Sequence, residues 1–180
     1  MNLITTSAAI LLAFASSLNG YESMYGKTPV GKIQVILLPE RVAIEARASA
    51  SYFSSDNGLF KKLFRYISTN KISMTTPVEA DINPGKMRFF LCKKDRSKKI
   101  KSSAEIKIRR LDPILVLAIG IRGGYTEDRF RTNESKLKSW IGKNATYEAV
   151  GEPYAVYWNG PLVPGFLKRS EIHQPVRKKD

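Results

Sequence analysis

The side chains best suited to acid–base or nucleophilic chemistry are few and far apart. His173 is the only histidine and Cys92 the only cysteine. A nucleophile needs a base within hydrogen-bond reach, and no Cys/His cluster here has the spacing of a metal-ligand set. His173 stands close to Pro175 in a basic carboxyl-terminal stretch and reads as a solvated surface residue. Cys92 closes the apolar run Phe90-Leu91-Cys92, where a buried structural thiol is the usual outcome. Gly120-Ile121-Arg122-Gly123-Gly124 has the look of a phosphate cradle but follows no fingerprint, and it reads as a close turn ahead of a helix. Catalysis by side chains alone is not expected, and the chain does not read as an enzyme.

Charge is the next feature. Lys and Arg outnumber Asp and Glu by 30 to 16, for a net charge of +14. Half of that excess falls between Lys93 and Arg110, which hold nine cations and two acids. Such a segment attracts anions: an acidic lipid surface, a glycan or a ligand carboxylate. A nucleic-acid surface would interleave exposed aromatics with the cations. The loop Lys93-Lys94-Asp95-Arg96-Ser97-Lys98-Lys99-Ile100-Lys101 has none, so no nucleic-acid partner is expected.

At 180 residues and 43% hydrophobic content the chain can bury one core. One cysteine rules out an internal disulfide framework. Residues 1–20 contain no charged side chain, and the apolar run from Leu3 to Leu18 ends in small residues. This pattern reads as a signal peptide cleaved between Ala15 and Gly20, leaving residues 21–180 as one exported domain, periplasmic or extracellular. In a eukaryotic secretory route, Asn133-Glu134-Ser135 and Asn144-Ala145-Thr146 would be glycosylation acceptors.

These features must be placed by a duplicated scaffold. Shifting the chain by 73 residues lays Tyr52 on Tyr125, Ile33 on Ile106, Leu38 on Leu111 and Phe64 on Leu137. The two copies run over about 31–92 and 104–174. In the first, strands Lys32 to Leu38 and Val42 to Ala48 flank Pro39-Glu40-Arg41, a tight connection between adjacent strands. Ser54-Ser55-Asp56-Asn57 offers N-caps for a helix whose Phe60, Leu63, Phe64 and Ile67 share one face opposite Lys61, Lys62 and Arg65. Strands Lys71 to Ile82 and Lys86 to Cys92 follow, and the charged run after Cys92 should be an exposed linker. The second copy repeats the order: strands Ala104 to Arg110 and Ile114 to Ile121, then a helix capped by Thr126 and stopped near Gly142. Strands Ala145 to Val150 and Ala155 to Trp158 end it. Duplicated β-β-α-β-β units give an α+β fold, a distorted antiparallel β-barrel flanked by two helices.

Two motifs carry a resemblance. Ile72-Ser73-Met74-Thr75-Thr76-Pro77-Val78, and Tyr157-Trp158-Asn159-Gly160-Pro161 followed by Pro164-Gly165-Phe166-Leu167, occur in the order of the SOUL family of haem-binding proteins, which the chain resembles from about Gly31 to Gln174. The resemblance implies the same barrel and a non-covalent haem or other tetrapyrrole beside the first helix. Carried over by the position of that helix, the haem-contacting residues are Phe60, Phe64 and Arg65, the rings covering the macrocycle and Arg65 meeting a propionate. No histidine lies in or before this helix, so the implied complex is weakly ligated. Two function classes stand: a tetrapyrrole-binding or carrier module, and a protein- or membrane-interaction module on the same scaffold that no longer binds haem.

Overall fold

A computed structural model describes residues 21–54 and 58–179. The expected signal peptide lies outside the described residues. The elements are β1 (Glu22–Ser23), β2 (Ile33–Leu38), β3 (Arg41–Arg47), α1 (Leu59–Thr69), β4 (Thr75–Thr76), β5 (Val78–Asp81), β6 (Lys86–Phe90), β7 (Ile106–Leu111), β8 (Ile114–Arg122), α2 (Glu127–Gly142), β9 (Tyr147–Ala149), β10 (Tyr154–Tyr157) and β11 (Arg169–Lys178). The fold is α+β, an antiparallel sheet curled into a half-barrel with two helices.

The sheet order is β2-β8-β11-β10-β5-β6-β3-β7, with β9 added to β11 and a short parallel β1–β4 pair apart. Exchanging each strand for its counterpart in the other copy leaves this order unchanged. One expectation fails here. β2 and β3 are consecutive but not paired: β2 pairs with β8, and β3 with β7 and β6. The connections Pro39-Glu40 and Asp112-Pro113 therefore join opposite ends of the sheet instead of closing hairpins, because the first strand of each copy pairs with the second strand of the other.

Two further expectations are corrected. Lys71 to Ile82 is not one strand but β4 and β5, separated at Pro77, which has no N–H to give a ladder. The basic carboxyl-terminal stretch is β11, a ten-residue strand paired with β8, β10 and β9. Pro175 is tolerated because it sits at the last β8 pairing, and its carbonyl still accepts from Val150 N–H at 2.9 Å.

One face of the sheet carries the main core. Ile44, Phe89, Leu117, Ile119 and Ile172 meet Leu59, Leu63 and Ile67 of α1 and Phe130 and Leu137 of α2. Each such aliphatic side chain contributes about 1.5–3 kcal/mol by leaving water. α2 starts as expected, with Thr126 Oγ1 accepting from Arg129 N–H at 3.4 Å, and ends at Gly142. α1 does not start on a side-chain cap. Gly58 opens it at a φ of 61°, and the expected caps Ser55, Asp56 and Asn57 lie outside the described residues.

The face of the sheet away from the helices carries a second, smaller core of Tyr154, Val156 and Trp158, covered by Tyr25 from the segment ahead of β2. That segment lies close because residue 120 is glycine: a Cβ there would stand 2.4 Å from the carbonyl oxygens of Thr28 and Pro29.

Candidate functional site

α1 presents the expected residues, but not on the expected face. Leu59, Leu63 and Ile67 recur every fourth residue and are buried. Phe60 and Phe64 lie one helical step further round. Phe60 is half-buried edge-on against Phe89, at 5.4 Å and 66°. Phe64 stacks on Phe60 with centroids 5.9 Å apart and planes 11° apart, and is 51% exposed. Phe64 is therefore an outward-facing ring and not part of the inner packing. Arg65 is exposed beside it, and its side chain makes no hydrogen bond or ion pair among the described residues. The surroundings are held in place: Tyr66 donates its hydroxyl to the Lys101 carbonyl at 2.7 Å, and Lys62 pairs with Glu105 at 3.1 Å. An apolar stacking platform with an exposed guanidinium at its edge can take a flat apolar ring system with a carboxylate at its rim.

The charged loop after Cys92 is not simply an exposed linker. It begins as a 3-10 turn in which Asp95 is buried, accepting from Ser73 N–H at 2.7 Å and from the Cys92 thiol at 3.2 Å and pairing with Lys98 at 2.7 Å. Cys92 is buried, and that burial, together with Asp95, raises its thiol pKa. It remains a neutral thiol and a poor metal ligand.

The face of the sheet away from the helices holds a polar network that the sequence reading missed. Glu45, Arg88 and Glu79 face one another across β3, β6 and β5. Arg88 reaches Glu45 at 3.0 Å and both oxygens of Asp81 at 2.7 and 2.8 Å. Tyr25 donates to Glu79 at 3.2 Å, and Arg41 lies 3.6 Å from the same carboxylate. Next to them, Glu171 accepts from Trp158 Nε1–H at 2.7 Å and from Thr28 N–H at 2.9 Å. Burial first, and then Glu79, push the Tyr25 and Tyr154 hydroxyls well above their ordinary pKa, so both stay protonated.

His173 belongs to this network, which overturns its reading as a surface residue. It is 0% exposed, with Nε2 3.0 Å from Glu171 and Nδ1 3.4 Å from the Tyr154 hydroxyl. Its neighbour Ile172 points into the main core, so His173 faces away from the helices. The one imidazole is thus not available to a ligand on α1. A signal was present: β3, β5 and β6 alternate apolar with charged residues, which reads equally well as a solvated face.

A cavity of about 810 Å³ opens at the edge of this face, lined by Arg41, Asp81, Arg88, Arg110, Arg131 and Glu152 among others. Its walls mix both charge signs, so a macrocycle would desolvate ions there. The Phe60–Phe64 platform carries no such cost.

The model of the SOUL heme-binding protein family matches residues 21–175. None of the curated proteins matches the sequence. Among solved structures, the chain is similar to EcmrR in its complex with DNA, at 18% identity and a TM-score of 0.66 over 82% of this chain, spanning 58% of that one. It is also similar to the isolated EcmrR C-terminal domain, at 18% identity and a TM-score of 0.62, covering 82% of this chain and 98% of that one. A protein from Listeria innocua described as a hydrolase gives 12% identity and a TM-score of 0.55, over 83% and 94% of the two chains. At these identities the likenesses speak for the fold alone.

Proposed function

The chain belongs to the SOUL heme-binding protein family, and from that membership we propose that it binds haem or another tetrapyrrole on the outer face of α1. The observation that carries this reading is Phe64: a large aromatic left 51% exposed, stacked on Phe60 and flanked by the exposed Arg65. Phe60 is anchored on Phe89, so it fixes the orientation of the platform, and Phe64 supplies the free ring. Arg65 and the exposed Lys61 next to the platform offer charge-assisted hydrogen bonds to propionates.

Fit is good for the apolar ring and the carboxylates, and poor for axial ligation. His173 is buried on the far face of the sheet, and Cys92 is a buried thiol. The reading is a binding or carrier role in which hydrophobic burial and ion pairs hold the group. When bound, the tetrapyrrole supplies whatever redox or light-absorbing chemistry it carries; the protein orients it and covers one face. Hemin titration of the full chain, followed at the Soret band, tests this. A saturable shift that Arg65→Glu weakens is expected, whereas no shift, or one indifferent to α1, would count against it.

A further inference from the structure

The loop between β10 and β11 departs from the rest of the surface. Leu162 is 99% exposed, Phe166 73% and Leu167 47%, all within six residues. Single exposed apolar residues are ordinary, but a cluster marks a contact surface. No acid occurs from Gly160 to Lys168.

The loop is also stiff. Val163 N–H donates to Gly160 O at 3.3 Å, Leu167 N–H to Pro164 O at 3.0 Å and Lys168 N–H to Gly165 O at 3.1 Å. Its base is pinned by the Tyr125 hydroxyl, 3.0 Å from Arg169 O and accepting from Asn159 N–H at 3.0 Å, and by Asn159 Oδ1, which accepts from Arg169 N–H at 2.7 Å. These bonds hold the apolar side chains out of the protein, so folding does not bury them. The same end of the sheet is basic. Arg122 lies opposite Arg169 across the ladder, Arg129 packs at Gly123 and donates to Arg122 O, and Lys27 and Lys168 lie over the Trp158 and Tyr125 rings. Against these stand Glu127, already paired with Arg131, and Asp128.

We propose that the Pro161–Leu167 loop is a membrane wedge, inserting Leu162, Phe166 and Leu167 into the interface of an anionic bilayer while the surrounding cations meet lipid headgroups. A protruding apolar tip with a basic collar and no acid of its own matches a negatively charged lipid surface, which attracts Lys and Arg within a Debye length and accepts apolar side chains below the headgroups. This is independent of the tetrapyrrole reading and uses a different end of the molecule.

The test places an environment-sensitive fluorophore at Leu162→Cys in the full chain; Cys92 is buried and shielded from the label. Because the probe reports the loop itself, association through any other segment does not imitate the signal. On vesicles of phosphatidylcholine with about 30 mol% phosphatidylserine, its emission should shift to the blue and resist iodide quenching, and salt should weaken the effect. Replacing Phe166 and Leu167 together by Ser should lower partitioning about tenfold or more with an unchanged melting temperature, since both side chains are exposed. A probe that stays in water while the chain sediments with vesicles overturns the proposal. So does an equal shift on neutral vesicles, or a concentration-dependent shift without lipid, which would make a second copy of the chain the occupant.

Discussion

Phe64 stacks on Phe60 with planes 11° apart, yet only Phe60 touches the core, through Phe89. Removing Phe64 should therefore separate binding from stability. Phe64→Ala is expected to cost only about 1 kcal/mol or less of folding free energy, because half the ring is already in solvent, whereas Leu63→Ala, fully buried one position earlier, should cost about 2–5 kcal/mol. Urea melts of the two variants check this. Comparable losses would place Phe64 in the core.

His173 is buried between Glu171 and Tyr154, on the opposite side of the sheet from α1. His173→Ala should lower stability by about 2–4 kcal/mol through the lost volume and the unpaired polar neighbours. The hemin spectrum should be unchanged in position and intensity. A lost or displaced Soret band would make His173 an iron ligand and contradict its burial on the face away from α1.

Asp81 gives a pH dependence. Burial works to raise its pKa, but the bidentate Arg88 contact and Lys86 outweigh burial and hold it below the ordinary carboxylate value. A depressed folded-state pKa stabilises the protein above the unfolded value of about 3.9, and that stabilisation is lost as pH falls through the folded value. Asp81→Asn should cost about 1–3 kcal/mol at pH 7, with the gap to the parent narrowing below about pH 4. Unfolding curves at both pH values decide it; a constant gap contradicts the assignment.

Gly120 lets the segment ahead of β2 lie on β8. Gly120→Ala would drive a methyl group into two carbonyl oxygens at 2.4 Å and should destabilise by about 1–3 kcal/mol. Hydrogen exchange at the Gly31 amide, which donates to Gly120 O at 2.8 Å, should accelerate more than exchange in α1. Protection unaltered at Gly31 would show that the contact is easily relieved.

Local signals were legible in the sequence where one element suffices to read them. Thr126 as a cap, Gly142 as a stop, buried Cys92 and the helical spacing of Leu63 and Ile67 all depend on a few adjacent residues. Pairing was not. Pro39-Glu40-Arg41 looks like a hairpin turn, and only the exchange of strands between the two halves shows that β2 belongs beside β8. β11 is hidden for a related reason: its charged ends and Pro175 mask a strand that pairs with β10 just before it and with the more distant β8 and β9. The spacing puts Phe64 on one face with Leu63 and Ile67 because the apolar stripe is broad, and only packing against the sheet fixes which edge of that stripe is buried. His173 and Glu171 were illegible for the same reason, since each becomes a buried pair only through contacts that Tyr154, Trp158 and Thr28 bring from elsewhere in the chain.

The most direct test of the central claim is hemin titration of the parent and Arg65→Glu. Arg65 is exposed and has no side-chain partner among the described residues, so the substitution should change folding stability by only about 0.5 kcal/mol or less. Loss of a charge-assisted bond and gain of a repulsive carboxylate should weaken hemin binding by about 1–3 kcal/mol, or roughly fivefold to 150-fold in Kd. A variant that binds hemin with the parent's affinity would show that the tetrapyrrole does not sit on α1.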